Sequence, residues 1–109
     1  MHHKICAVIV TYKANSQIIE LLNALLTQVS HIYLIDNGSE PDIITILQKF
    51  SVNNPAAISI IINENNLGIA TAQNQGIKKA IANGFDWVIF IDDDSLPEAD
   101  MVQRMFTAW

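Results

Sequence analysis

Three aspartates in succession, Asp92-Asp93-Asp94, follow directly on the apolar run Trp87-Val88-Ile89-Phe90-Ile91. That run is rich in strand-forming residues and reads as a strand buried on both faces. Carboxylates in such a place need a compensating partner, because an unpaired buried charge is costly. Two like charges ~4 Å apart repel by about 1 kcal/mol in water and roughly 4 kcal/mol at an effective dielectric of 20. A divalent cation that prefers hard oxygen ligands, Mg²⁺ or Mn²⁺, reverses that sign. In an extended chain Asp92 and Asp94 point to one side and Asp93 to the other, so Asp92 and Asp94 are the expected metal pair. The bland alternative is a solvated acidic turn with all three side chains in water.

The elements that must position these acids can be read from hydrophobic periodicity. Residues 5–10 form a first strand buried on both faces, with Thr11-Tyr12-Lys13 as its polar exit. Asn15 or Ser16 can cap a first helix whose apolar positions are Ile18, Ile19, Leu21, Leu22, Leu25 and Leu26. Residues 31–35 form a second strand that also ends in an acid, Asp36, followed by the turn signal Asn37-Gly38. Ser39 with Asp42, and Pro41 in the first turn, open a second helix with the face Ile43, Ile44, Ile46, Leu47 and Phe50. Residues 52–55 break it at proline. A third strand over 58–62 leads to a polar loop, 63–68. A third helix over 69–83, closed by Gly84, would present Ala70, Asn74, Ile77 and Ile81, with Gly76 serving close packing. After the aspartates, Ser95 and Glu98 form a capping box around Pro97, and Met101, Val102, Met105, Phe106 and Trp109 begin an apolar helical stripe.

Strand–helix repeated in this way predicts an α/β fold with a mostly parallel sheet flanked by helices. Ligands of such sheets sit beyond the carboxyl ends of the strands, where the strand order reverses. Thr11 and Tyr12, residues 36–39, residues 63–68 and residues 92–95 all lie at such ends. That shared placement predicts one site.

Bulk properties narrow the partner. The chain has 109 residues, one domain by length, with 50% hydrophobic and 16% charged residues, a globular composition. Its net charge of −5 and the lack of a basic run argue against nucleic acid. The single cysteine, Cys6, lies within an apolar run, reads as core and fits a reducing compartment. No stretch reaches the ~20 apolar residues of a membrane span. His2 and His3 read as a ragged terminus. No G-x-x-x-x-G-K-[ST] or G-x-G-x-x-G follows the first strand, which excludes a P-loop and argues against a dinucleotide-binding domain.

The segments Val8-Ile9-Val10-Thr11-Tyr12, Ile35-Asp36-Asn37-Gly38-Ser39, Asn66-Leu67-Gly68-Ile69-Ala70 with Asn74-x-Gly76, and Asp92-Asp93-Asp94 together resemble the N-terminal half of family-2 inverting glycosyltransferases of the GT-A fold. The wording Asn-Leu-Gly-Ile-Ala and Asp-x-Asp-Ser is similar to rhamnosyltransferase-like members. The resemblance covers essentially the whole chain and implies a Rossmann-like donor-binding part, residues 1–109. The donor would be a dTDP- or UDP-sugar, with rhamnose as the sugar of closest wording, and the acceptor a saccharide or lipid-linked group. By the same resemblance Thr11 and Tyr12 line the base pocket, and Asp36 accepts the N3–H of a uracil or thymine. The alternative, read from its own neighbours, is an acid that only shapes the Asn37-Gly38 turn. Asn66 and Gly68 match the loop beside the nucleotide. Asn74 reaches the site from the third helix or packs locally. Asp92 would touch the ribose or metal-bound water, Asp94 the cation on the diphosphate, and Asp93 the sugar or only water. Lys13, Lys78 and Lys79 read as a solvated face.

The family takes its catalytic base from a carboxylate well downstream. The expectation is therefore a donor- and metal-binding part that turns over poorly alone, working in the cytoplasm or at the inner face of a membrane. The C-terminal stripe is a candidate surface for homo-oligomers. Rival readings are a Mg²⁺-binding receiver-like signalling module, a sugar nucleotidyltransferase, and a folding or oligomerising piece. Thr11-Tyr12 stands where receivers carry paired acids, and residues 11–16 lack the glycines of a triphosphate-gripping loop.

Overall fold

The computed structural model describes residues 4–94, 100–102 and 104. The elements run β1 (Ile5–Thr11), α1 (Ile18–Leu26), β2 (His31–Asp36), α2 (Pro41–Asn53), β3 (Ile58–Ile62), α3 (Ile69–Ala82) and β4 (Trp87–Asp92). All strand pairs are parallel, in the order β3-β2-β1-β4. The chain therefore steps outward from β1 through β2 to β3, then returns to the other side of β1. The order reverses between β1 and β4, which makes the carboxyl ends of those two strands the switch point.

Alternation along the strands builds a core on each face of the sheet. Ala7, Ile9, Ile32, Leu34 and Ile58 face α1 and α2, where Ile18, Leu21, Leu22, Leu25, Ile43 and Leu47 meet them. Each such buried leucine or isoleucine contributes roughly 1.5–3 kcal/mol. Cys6, Val8, Tyr33 and Ile35 face α3. Burial pushes the Cys6 thiol up to about 11, so it remains a protonated core residue.

Four expectations change. The fourth strand is not buried on both faces: only Ile89 is buried and Phe90 is 47% exposed. It pairs with β1 on one side only among the described residues, so it is an edge strand. The buried stripe of α3 is Ala72, Gly76 and Ala80, not Ala70, Asn74, Ile77 and Ile81. A Cβ on Gly76 would lie 2.6 Å from Val8 Cγ1 and 3.1 Å from Ile35 Cδ1. The bulk at this contact comes from the sheet, so the helix supplies small residues, and Ile69 and Ile81 are left 62% and 71% exposed.

The other two changes concern helix starts. Neither α1 nor α2 has a side-chain cap. Asn15 instead accepts the Gln17 amide at 2.9 Å, and Ser39 is used elsewhere, as described below. The helix end at Gly84 is as expected, with φ +74 and the Phe85 amide reaching back to the Ala80 carbonyl at 3.1 Å. His2 and His3, the Ser95–Glu98 capping box, Met105, Phe106 and Trp109 lie outside the described residues. Met101 and Val102 of the apolar stripe pack inside the chain, Val102 against Ile5 and Ile89, with its amide held by Gln28 Oε1 at 2.9 Å.

Candidate functional site

The carboxyl edge of the sheet carries two polar groupings. At the switch point a cleft is lined by Tyr12, Lys13, Ala14, Asn15, Gln17 and Ile18 from the β1–α1 connection and by Asp93 and Asp94 after β4. Strand β4 ends at Asp92, so side-chain alternation stops there and Asp93-Asp94 form a turn. Asp93 and Asp94 line the cleft together, and Asp92 is not among its lining residues. The Tyr12 amide donates to Asp93 Oδ2 at 3.4 Å, a long bond that joins the two walls. Burial holds the Asp93 carboxyl above the usual range, and the charges of Asp94 and Asp92 add to this against the opposing Tyr12 bond.

Two hard carboxylates under mutual repulsion are a donor set that a divalent cation relieves, and they suit an ion that keeps several of its waters. Among the described residues no three His, Cys, Asp or Glu side chains gather into a metal cage. The two carboxylates present fit a cation that takes the rest of its ligands from elsewhere.

The connection after β1 is held open by its neighbours. Lys13 has φ +50, the one non-glycine residue with positive φ among the described residues. For a lysine this region costs roughly 1–2 kcal/mol. Hydrogen bonds flank it on both sides: Tyr12 N to Asp93, and Ala14 N to Ser39 Oγ at 3.1 Å. The Lys13 ammonium lies 5.3 Å over the Tyr12 ring, which is 48% exposed.

The second grouping lies at the ends of β2 and β3. Asp36 is fully buried, and its carboxylate accepts Thr11 Oγ1–H at 2.6 Å, Gly38 N at 3.2 Å and Ser39 N at 3.0 Å. These bonds shape the turn at Gly38 and Ser39. Asn37 is buried and bridges to the 63–68 loop: its Nδ2 donates to the Gly68 carbonyl at 3.1 Å and its Oδ1 accepts Asn63 Nδ2 at 2.9 Å. Asn63 and Gln75 exchange amide bonds at 2.8 and 3.1 Å, tying the loop to α3. Asn66 Oδ1 accepts the Gly68 amide at 2.8 Å, within its own loop.

Of the predicted site residues, the structure gathers Tyr12, Asp93 and Asp94 in the cleft and sets Thr11 directly beneath it, buried on Asp36. Asn66 and Gly68 belong to the second grouping, and Asn74 is exposed on α3 outside the cleft lining. The sequence reading missed Lys13 as a lining residue, and Ser39, Asn37, Asn63 and Gln75 as the bonds that order both connections. The asparagine density of 63–66 was a signal for the amide network, since such residues bond backbone and one another in turns.

Residues 6–109 match the family model described as Glycosyl transferase family 2. The chain is 30% identical over 109 residues to the dTDP-rhamnosyl transferase RfbF of Shigella flexneri, covering 96% of this chain and 34% of that protein. It is 28% identical over 96 residues to the galactofuranosyltransferase GlfT1 of Mycolicibacterium smegmatis, covering 85% of this chain and 30% of the relative. The crystal structure of S. aureus TarS 1-349 superposes with a TM-score of 0.76 at 23% identity, over 95% of this chain and 31% of that one, a likeness of fold. The chain thus spans 30–34% of the length of these relatives.

Proposed function

The chain belongs to glycosyl transferase family 2, and on that premise we propose that it forms the donor-binding part of an enzyme moving a sugar from a nucleoside-diphosphate sugar to a saccharide or lipid-linked acceptor. The observation that carries this reading is the cleft at the switch point, where Asp93 and Asp94 meet the β1 exit. The nucleoside diphosphate lies along that cleft, with its phosphates toward the acids. Tyr12 forms the wall on which the nucleoside rests, with Thr11 buried beneath it. Asp36 acts one layer down, holding Thr11 and the turn at Gly38 and Ser39 in place. Asn66 and Gly68 extend the same rim above β3.

Mg²⁺ or Mn²⁺, held by Asp93 and Asp94 with Asp92 adjoining, would supply Lewis-acid stabilisation of the charge that grows on a departing diphosphate. The acceptor hydroxyl needs a general base, which we place in the part of the protein that this chain does not span. The similarity to RfbF supports dTDP-rhamnose as the donor, and the similarity to GlfT1 supports a furanosyl donor. Among the described residues no helix is long and apolar enough to cross a membrane.

Calorimetry with UDP, dTDP and GDP, each with and without Mn²⁺, tests the reading. Pyrimidine nucleotides should bind best and the metal should tighten them. Equal binding of all three nucleotides, or none, would contradict it.

A further inference from the structure

We propose that Lys13 is a diphosphate-binding residue of the cleft, its ammonium taking phosphate oxygens from the β1 side while Asp93 and Asp94 lie on the β4 side. The inference rests on the donor reading above and adds a residue to it. Of the six Lys and Arg in the chain, Lys13 is the one that lines the cleft. Lys4 is engaged at the far end of the sheet, where its Nζ donates to the Asn83 carbonyl at 2.8 Å, and Arg104 lies 3.9 Å from Asp100. Lysine is a compact point charge well suited to phosphate oxygens.

The backbone at Lys13 argues in the same direction. A lysine on a solvated face has no use for positive φ, and glycine or asparagine would hold the turn more easily. Here the two flanking amides are tied to Asp93 and to Ser39, so residues from beyond β4 and β2 together set where this side chain leaves the chain. Strained backbone maintained by surrounding bonds is common where a side chain must be aimed.

Its present contacts leave the charge free to move. The ammonium rests over an exposed tyrosine ring at 5.3 Å, and among the described residues no carboxylate is in ion-pair contact with it, although two line the same cleft. A cation held only by an exposed ring exchanges readily for a stronger anionic partner. A diphosphate brings further negative charge beside Asp93 and Asp94, and a nearby ammonium offsets part of that repulsion.

The test compares UDP, by calorimetry, with uridine, by ligand-observed NMR, on the wild type, Lys13→Ala, Lys13→Gly and Lys13→Arg. Lys13→Gly accepts positive φ without strain, and thermal melts show that the folds compared are intact. UDP binding should weaken about ten- to a hundredfold in Lys13→Ala and Lys13→Gly, as expected for one charge-assisted bond. Uridine binding should be unchanged, and Lys13→Arg should keep most of the UDP affinity. Unchanged UDP affinity in the alanine and glycine variants would overturn the proposal, as would equal losses for uridine and UDP. If the wild type binds neither UDP nor dTDP, the donor reading fails and this proposal with it. If the wild type binds while the variants do not differ from it, only the assignment of Lys13 fails.

Discussion

The two ends of the carboxyl edge are built by opposite rules. Above β2 and β3 the polar groups are spent on one another: Asp36 has three donors, Asn37 bridges two connections, and Asn63 and Gln75 exchange bonds. Above β1 and β4 a long 3.4 Å bond joins the Tyr12 amide to Asp93, and Asp93 is held above its usual pKa by burial and by neighbouring charge. A satisfied network stiffens a scaffold, whereas unsatisfied like charges wait for a counter-ion. On the proposed reading the difference separates residues that hold the site from residues that meet the ligand, although both kinds sit at strand ends and both are rich in Asp and Asn.

The largest effect should come from breaking the satisfied end. Asp36→Ala strands the Thr11 hydroxyl and the Gly38 and Ser39 amides, and should cost about 3 kcal/mol in a denaturant melt. Asn37→Ala removes the acceptor of Asn63 and the donor to Gly68. It should cost about 2 kcal/mol and free the 63–68 loop, seen as faster amide exchange at Leu67 and Gly68.

At the unsatisfied end the sign reverses. A carboxyl whose folded pKa is raised destabilises the fold when ionised. The penalty is fully present above the folded pKa, fades as pH falls from there toward the ordinary 3.8, and is gone below it. Asp93→Asn keeps an oxygen for the Tyr12 amide while removing the charge. It should therefore raise stability at pH 7 by up to about 1 kcal/mol, lose that advantage near pH 3, and weaken Mn²⁺ binding at pH 7. A loss of stability at pH 7 would place Asp93 with the satisfied group.

The smallest effect concerns the far end of the sheet, where His31 donates Nδ1–H to the Ala56 carbonyl at 3.1 Å and accepts Ser59 Oγ–H at 2.8 Å. Burial lowers its pKa below 6.5, so stability should be lost as pH falls from 6.5 toward the folded value. His31→Gln should flatten that slope and leave the Asp93 limb untouched.

Much of this architecture was legible because apolar runs of β length alternated with helical stripes, and every polar cluster followed a run. Ile58–Ile62 was read with its observed bounds, and the tight contact at Gly76 was anticipated from its place inside a helix. What stayed hidden depends on pairing across the chain. Periodicity does not show that β4 lies at an edge, so Phe90 read as buried. Hydrophobicity picked Ile77 and Ile81 for the inner face of α3, but volume complementarity with Val8 and Ile35 selected Ala72, Gly76 and Ala80. Local rules made Ser39 a helix cap, while the chain uses it for the Ala14 amide, a residue 25 positions away. The turn at Asp93-Asp94 was missed because alternation was extended two residues past the end of the strand.

Paramagnetic broadening of backbone amide signals by substoichiometric Mn²⁺, with UDP or dTDP present, tests the central claim most directly. The account predicts that the amides of Tyr12, Lys13, Ala14, Asp93 and Asp94 vanish first, while those of Asn63, Leu67 and Gln75 persist. Broadening centred on the 63–68 loop, or spread evenly over the acidic surface, would contradict it.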